Sequence, residues 1–521
     1  MAPVSYRSTR GSVSGATFEE VVLGGLAPDR GLYVPDHIPT FTPKEIEGME
    51  DFSFEQLAFT VLSKYIPTDQ IPSADLDRLV KASTVNFRDR KVTPVVKTGE
   101  YYTMELFHGP TFAFKDVALQ FLGNLFEYFI GKKEGEEQRL TIMGATSGDT
   151  GSAAIYGLRG KKHVNCFILY PEGRVSLIQE QQMTTVPDEN IHCLRIDGTF
   201  DDCQDIVKGA FMDTEFRAKV RLGAVNSINW ARVLAQMTYY FYAYFQVVKQ
   251  RKSNRTAPVN FSVPTGNFGD ILAGFYAKKM GLPVGKLVVG TNENDILARF
   301  FGGGSYEKLA IMTSISPSMD ICVSSNFERY LFHLFGDDPA QLKALMEAFE
   351  SKASAPLNAS VASGTATPGM LTVTPGVLKR ANEDFLAAKA TTKEVLELVG
   401  STFAKPDEYL FCPHSACGVV AAQKLGLLNE DMVVLATAHA GKFYEAVKGA
   451  VPNGSLPPLP PALAAVQTLK MRMTDLPNSL EACQNVVLER IGLKAKDGSK
   501  ALTLVLPLVA ALAIMFFVAQ R

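Results

Sequence analysis

Lys115 stands in HGPTFAFKDVALQFLGNLFEYF (108–129), where it interrupts a row of aromatic and aliphatic side chains. Phe114, Val117, Ala118, Phe121, Leu122, Leu125 and Phe129 recur at helical spacing, and Pro110 and Thr111 read as the helix entry. Lys115 then falls in the first turn, beside the positive end of the helix dipole and among Phe112, Phe114 and Phe121. Dipole and burial both disfavour a cation, so the pattern predicts a lysine held as a neutral amine. Such an amine is the nucleophile that forms a Schiff base with a carbonyl compound. The plainer alternative is a lysine whose stem runs out to water.

Three further segments carry candidate chemistry. In GATSGDTGSAAIYG (144–157) a strand delivers small residues onto a helix start. Free N–H groups and the hydroxyls of Thr146, Ser147 and Thr150 make an anion site, suited to an amino acid's carboxylate. An ordinary capped turn fits the same residues. PTGNFGDILAG (264–274) repeats the design. Gly266 and Gly269 let the backbone approach a bound group, and helix amides can hold a phosphate. Its spacing matches neither the dinucleotide fingerprint nor the P-loop. Asp270 is expected to cap this helix rather than to touch a ligand. In LATAHAGKF (435–443) an apolar strand ends at Thr437, whose neutral hydroxyl could meet a ring nitrogen. His439 is a candidate proton carrier, although a lone histidine is more often structural.

The elements that position these residues alternate. Strands are predicted at 140–146, 164–171, 259–264, 286–292 and 432–440, and helices at 151–160 and 271–281. That rhythm implies parallel sheets covered on both faces. Residues 231–250 are apolar nearly all round and predict a buried helix. Residues 1–90 read as a small mixed domain, with a helical pattern over 51–66. Residues 91–350 read as the main α/β domain, 351–376 as a linker or long loop, and 377–490 as the part that completes the α/β domain.

The 521 residues are 46% hydrophobic and 20% charged, with a net charge of −2. No basic face points to nucleic acid. The seven cysteines form no C-x-x-C pair, which fits reduced thiols in a cytosol-like compartment. Cys412, His414 and Cys417 lack the second pair that a zinc site needs, so no metal is expected. The N-terminus carries no secretory signal, and the expected location is the cytoplasm. The alternative comes from the uncharged run ALTLVLPLVAALAIMFFVA (501–519), long enough for a C-terminal membrane anchor.

HGPTFAFKD, ATSGDTG, NSINWAR (226–232), PTGNFGD, SPSMDI (316–321), SSNFERYLF (324–332) and ATAHAGKF stand in the order found in threonine synthases of the fungal and enterobacterial type. The chain resembles that family from about residue 4 to about residue 450. The resemblance implies a tryptophan-synthase-β-like fold, type II among pyridoxal phosphate (PLP) enzymes, with two parallel-sheet α/β subdomains, the cofactor in their cleft and a small N-terminal domain. It implies that Lys115 carries the PLP, that Gly266, Asn267, Phe268, Gly269 and Asp270 form its phosphate cup, and that Thr437 faces the pyridine nitrogen. Ser147, Gly148, Asp149 and Thr150 match the loop for the substrate's amino-acid end. The implied reaction converts O-phospho-L-homoserine and water to L-threonine and phosphate. Lys91, Lys161, Arg174 and Arg232 are candidates for the substrate's phosphate. The alternative is a catalytically silent relative that binds phosphorylated small molecules or is tethered to a membrane.

Overall fold

A computed structural model describes residues 3–251, 256–352, 354, 356–405, 409–451 and 454–493. Two parallel sheets dominate it. The six-stranded sheet runs Phe385–Lys389, Val284–Thr291, Val259–Pro264, Met432–Ala436, Tyr101–Glu105 and Val95–Thr98. Its neighbours pair in parallel except the last two, which form an antiparallel hairpin. The second sheet runs Thr474–Pro477, Ile191–Asp197, Val164–Pro171, Leu140–Ala145 and Leu222–Gly223, parallel throughout. The chain is thus an α/β protein.

The central strands are buried on both faces, which is why they read as continuous apolar runs rather than alternating ones. Helix Trp230–Gln250 packs between elements and buries seventeen of its residues. Asn229 caps it by accepting from Ala231 N–H. The Trp230 indole meets Tyr276 edge to face at 5.1 Å and Tyr65 at 5.8 Å, joining the N-terminal region to the main sheet.

The N-terminal region pairs Tyr6–Ser8 with Tyr33–Pro35 and adds the helices Phe18–Gly24, Phe54–Ser63 and Ser73–Thr84. Ser53 and Gln56 close a capping box on the second of these, which trims the expected 51–66 helix at its start. Arg10 ties this region to the rest through a buried ion pair to Glu328 (2.8 Å) and a partly buried one to Glu350 (2.5 Å).

The 351–376 stretch departs from the linker expected of it. Ala359–Val361, Gly364–Thr367 and Met370–Val373 form antiparallel strands, and Ser305–Glu307 extends them to a four-stranded sheet. Small and hydroxyl side chains weaken the local strand signal, and the pairing with 305–307 is far away in sequence. Among the described residues no helix is long and apolar enough to cross a membrane. The 501–519 run lies outside the described residues.

Candidate active site

Both glycine loops follow the carboxyl ends of parallel strands, where an open α/β sheet leaves its crevice. Strand Val259–Pro264 leads through 265–268 into helix Gly269–Lys279, and strand Leu140–Ala145 leads through 146–148 into helix Asp149–Leu158. Helix Lys115–Gly131 begins beside them. Between them lies a cleft of about 740 Å³ lined by Lys115, Asp149, Thr150, Arg232, His414, Thr437 and the 264–271 loop, among others. A second, narrow pocket lined by Phe54, Val80, Phe121 and their neighbours carries no titratable side chain.

Lys115 is the first residue of its helix and is buried. Phe112 just before it takes a positive φ of 58°, and Asp116 accepts from Thr111 N–H (2.8 Å) and Thr111 Oγ1 (2.7 Å), so the entry is rigidly held. Lys115 Nζ lies 4.9 Å over the Phe114 ring and 3.6 Å from Asp149 Oδ2. Burial pushes its amine below the ordinary lysine range. Asp149 pulls the other way, while Lys442 and Arg232 push it further down.

The 265–270 loop is built to leave donors free. Phe268 turns the chain at φ 61°. The N–H groups of Gly266, Asn267, Phe268 and Gly269 find no acceptor among the described residues, the arrangement that receives an anion. A Cβ on Gly266 would approach the Met319 backbone to 3.2 Å, and one on Gly269 would approach Asn326 Nδ2 to 3.2 Å. SSNFERYLF supplies the brace. Ser324 Oγ donates to Gly266 O (2.6 Å), and Asn326 N–H and Nδ2 donate to Asn267 O (3.0 and 3.1 Å). Arg329, fully buried, donates to Asn326 Oδ1 (2.6 Å), Tyr33 O (2.8 Å) and Ile228 O (2.6 Å).

Asp270 does not cap its helix. Its carboxylate accepts from Tyr239 (2.6 Å) and Tyr240 (2.9 Å), while Oδ2 is buried at the cleft with no partner among the described residues. These tyrosines come from the long buried helix, so they pull the side chain away from the helix terminus. Burial raises its carboxyl to about 6 against the two hydroxyl donors and Lys115.

In the 144–150 loop Thr146 Oγ1 accepts from Gly148 N–H (3.0 Å) and Gly151 N–H (2.8 Å), which consumes two of the amides expected for an anion. Gly148 turns at φ 133°, and a Cβ there would strike the Gln179 side chain at 2.5 Å. Asp149 and Thr150 line the cleft; Ser147 and Gly148 do not. Asp149 is buried and accepts from Gln179 Nε2 (2.9 Å), with Lys442 Nζ at 2.6 Å on the same oxygen. Burial would raise its carboxyl, but Lys442, Lys115 and His414 hold it well below the usual carboxylate range.

Of the four candidate phosphate contacts only Arg232 lines the cleft. It is buried, its Nε has no partner among the described residues, and burial lowers it to about 10. Lys91 and Arg174 are exposed, and Lys161 is engaged by Asn124 and Glu127. His439 stands apart from the cleft between the rings of Phe107 and Phe112, and its Nδ1 accepts from Gly441 N–H. Two cleft-side groups escape the sequence pattern. His414 lines the cleft, accepts from Ser318 N–H at 3.3 Å, and is lowered to about 4 by burial. Lys442 is buried behind Asp149. Its signal was its position five residues past Thr437 in an otherwise uncharged run. Among the described residues no three His, Cys, Asp or Glu side chains gather as a metal site.

Residues 90–340 match the family of pyridoxal-phosphate-dependent enzymes, so fold and cleft together define an enzyme of that class. Residues 5–84 match the threonine synthase N terminus, and residues 415–487 the threonine synthase C-terminal region. The threonine synthase of Schizosaccharomyces pombe is 50% identical over 474 residues, covering 87% of this chain and 90% of its own. A crystal structure of PLP-bound threonine synthase from Brucella melitensis superposes with a TM-score of 0.86 at 41% identity, covering 94% of this chain and 99% of that one. The yeast enzyme's crystal structure gives 0.85 at 43%, covering 94% and 98%. The chain belongs to the threonine synthase family, and its cofactor is PLP. The cleft suits that group chemically: four free amides for a phosphate, a buried amine for an aldehyde, and unpartnered buried atoms on Arg232, Asp270 and His414 for polar substituents and substrate.

Proposed function

We propose that the chain converts O-phospho-L-homoserine and water to L-threonine and phosphate, with Lys115 as the lysine that holds the cofactor. The observation that supports this most is the buried Lys115 amine in one cleft with the free amides of residues 266–269. PLP, when bound, supplies the electron sink for carbanion chemistry.

The protein's own residues do the rest. The N–H groups of Gly266, Asn267, Phe268 and Gly269 bind the cofactor's phosphate, and Asp270 completes that loop. Thr437, which lines the cleft, would offer its hydroxyl to the pyridine nitrogen, and a neutral partner there would leave the ring less cationic than a carboxylate would. Ser147, Gly148, Asp149 and Thr150 orient the substrate's amino-acid end. Arg232, buried and without a carboxylate partner, meets the substrate's phosphate. Lys115 would hold the cofactor and, with its amine free, would be the base placed to take protons from the substrate's α- and β-carbons. Burial lowers the amine's hold on a proton, which favours its acting as a base. Burial of the cleft also limits the access of stray water.

The test is threonine formation from phosphohomoserine. Lys115→Ala is expected to lower the rate by at least about a thousandfold, because anchor and base go together. Turnover near the parent level in that variant ends the assignment. Serine and threonine offered as rival substrates separate this reaction from others of the class. On this reading the enzyme works in the cytosol; recovery of the full-length chain in a membrane pellet would instead assign the 501–519 run an anchoring role.

A further inference from the structure

Lys442 is the most deeply enclosed cation beside the cleft. Its side chain has no exposed surface, and it reaches two acceptors: Asp149 Oδ1 at 2.6 Å and Thr111 O at 3.0 Å. It does not line the cleft, so it meets neither cofactor nor substrate directly. The other oxygen of the same carboxylate, Asp149 Oδ2, stands 3.6 Å from Lys115 Nζ. Asp149 is therefore shared between two lysines, at unequal distances, inside a buried pocket.

The asymmetry has a consequence. A lone carboxylate 3.6 Å from a buried amine would hold that amine as an ammonium. An ammonium can neither attack an aldehyde nor accept a proton. Here the carboxylate's charge is already matched by the closer cation. Lys442 cannot drift, because Thr111 O fixes it from the same loop that leads into the Lys115 helix.

We propose that Lys442 is a positioning residue which, by neutralising Asp149, keeps Lys115 uncharged. This deepens the assignment of Lys115 and rests on it. The charged and titratable groups facing Lys115 are Asp149, Lys442, Arg232, Asp270 and His414. Arg232 adds to the effect of Lys442. Asp270 opposes it, and His414, held neutral by burial, contributes little.

The test reads the ionisation of Lys115 itself, without turnover. The full-length chain, freed of cofactor, is acetylated competitively from neutral to strongly alkaline pH, and labelling of the Lys115 peptide is followed by mass spectrometry. Lys442→Met is expected to raise the labelling midpoint, and Asp149→Asn to lower it, each by about one pH unit or more. Lys442→Arg, which keeps the charge, stays near the parent midpoint. The double variant Asp149→Asn/Lys442→Met carries no net charge change and fits the same space. It should titrate above Asp149→Asn alone, isolating the push of Lys442. Should Lys442→Met fail to fold, that comparison decides the matter. The proposal is overturned if Lys442→Met titrates at or below the parent, or if the double variant matches Asp149→Asn. Loss of activity in Lys115→Ala tests which lysine carries the cofactor; the order of midpoints tests the coupling, and either can fail alone.

Discussion

The two glycine corners of the cleft begin from the same local recipe and end in opposite uses. Both are strand, small-residue loop and helix. At 264–270 the helix-entry amides stay free, because outside residues hold the loop: Ser324 and Asn326 bind its carbonyls, and Arg329 binds Asn326. At 144–151 the loop holds itself, since Thr146 turns its hydroxyl back onto Gly148 and Gly151. Its first helical residue, Asp149, is then committed to a buried ion pair. Free helix-entry amides at 264–270 thus go with bracing from outside the loop, and the self-held loop at 144–151 spends its amides internally.

Breaking the brace should show this most clearly. Arg329→Met leaves Tyr33 O, Ile228 O and Asn326 Oδ1 without their buried donor. It is expected to cost about 3 kcal/mol in urea unfolding and to weaken retention of PLP in the same variant. Unchanged cofactor retention in a destabilised variant would separate the brace from the cup.

Asp270 sharpens the contrast through pH. Its folded value, about 6, lies above the ordinary carboxyl value of about 4. The native state therefore holds the proton more tightly than the unfolded chain. This group's contribution to stability is fully present below pH ~4 and is lost as pH rises through about 6, by an amount on the order of 3 kcal/mol. Asp116, also raised to about 6 by burial, adds a parallel loss. Asp270→Asn should flatten part of this slope in the cofactor-free protein. An unaltered slope in urea midpoints across that window would show that Asp270 ionises normally.

The smallest effect belongs to the self-held corner. Thr146→Val removes the acceptor from two helix-entry amides and should cost about 1 kcal/mol in thermal or urea unfolding. PLP retention should be nearly unaltered. A larger loss of cofactor than of stability would mean that both corners grip it.

What the sequence made legible follows from locality. Lys115, the two glycine loops and Thr437 lie in runs whose apolar period and breakers announce strand, turn and helix within ten residues. The helix 230–250 was readable for the same reason. Lys442 and His414 were not, because their meaning lies in a carboxylate some three hundred residues earlier in the chain. Asp270 misled because its partners, Tyr239 and Tyr240, sit on another helix, while the N-cap rule sees only neighbours. The 359–373 strands were hard to read because small and hydroxyl side chains carry little strand signal, and one edge pairs with Ser305–Glu307, outside the local run.

The strand order of the main sheet bears on how the molecule is assembled. Met432–Ala436 lies between Val259–Pro264 and Tyr101–Glu105, although it is the last of the six to leave the ribosome. Until it inserts, the nascent chain carries two facing rows of unsatisfied peptide groups in mid-sheet, a template for pairing with other molecules. A polypeptide interrupted before that point lacks the strand that joins the two halves of the sheet.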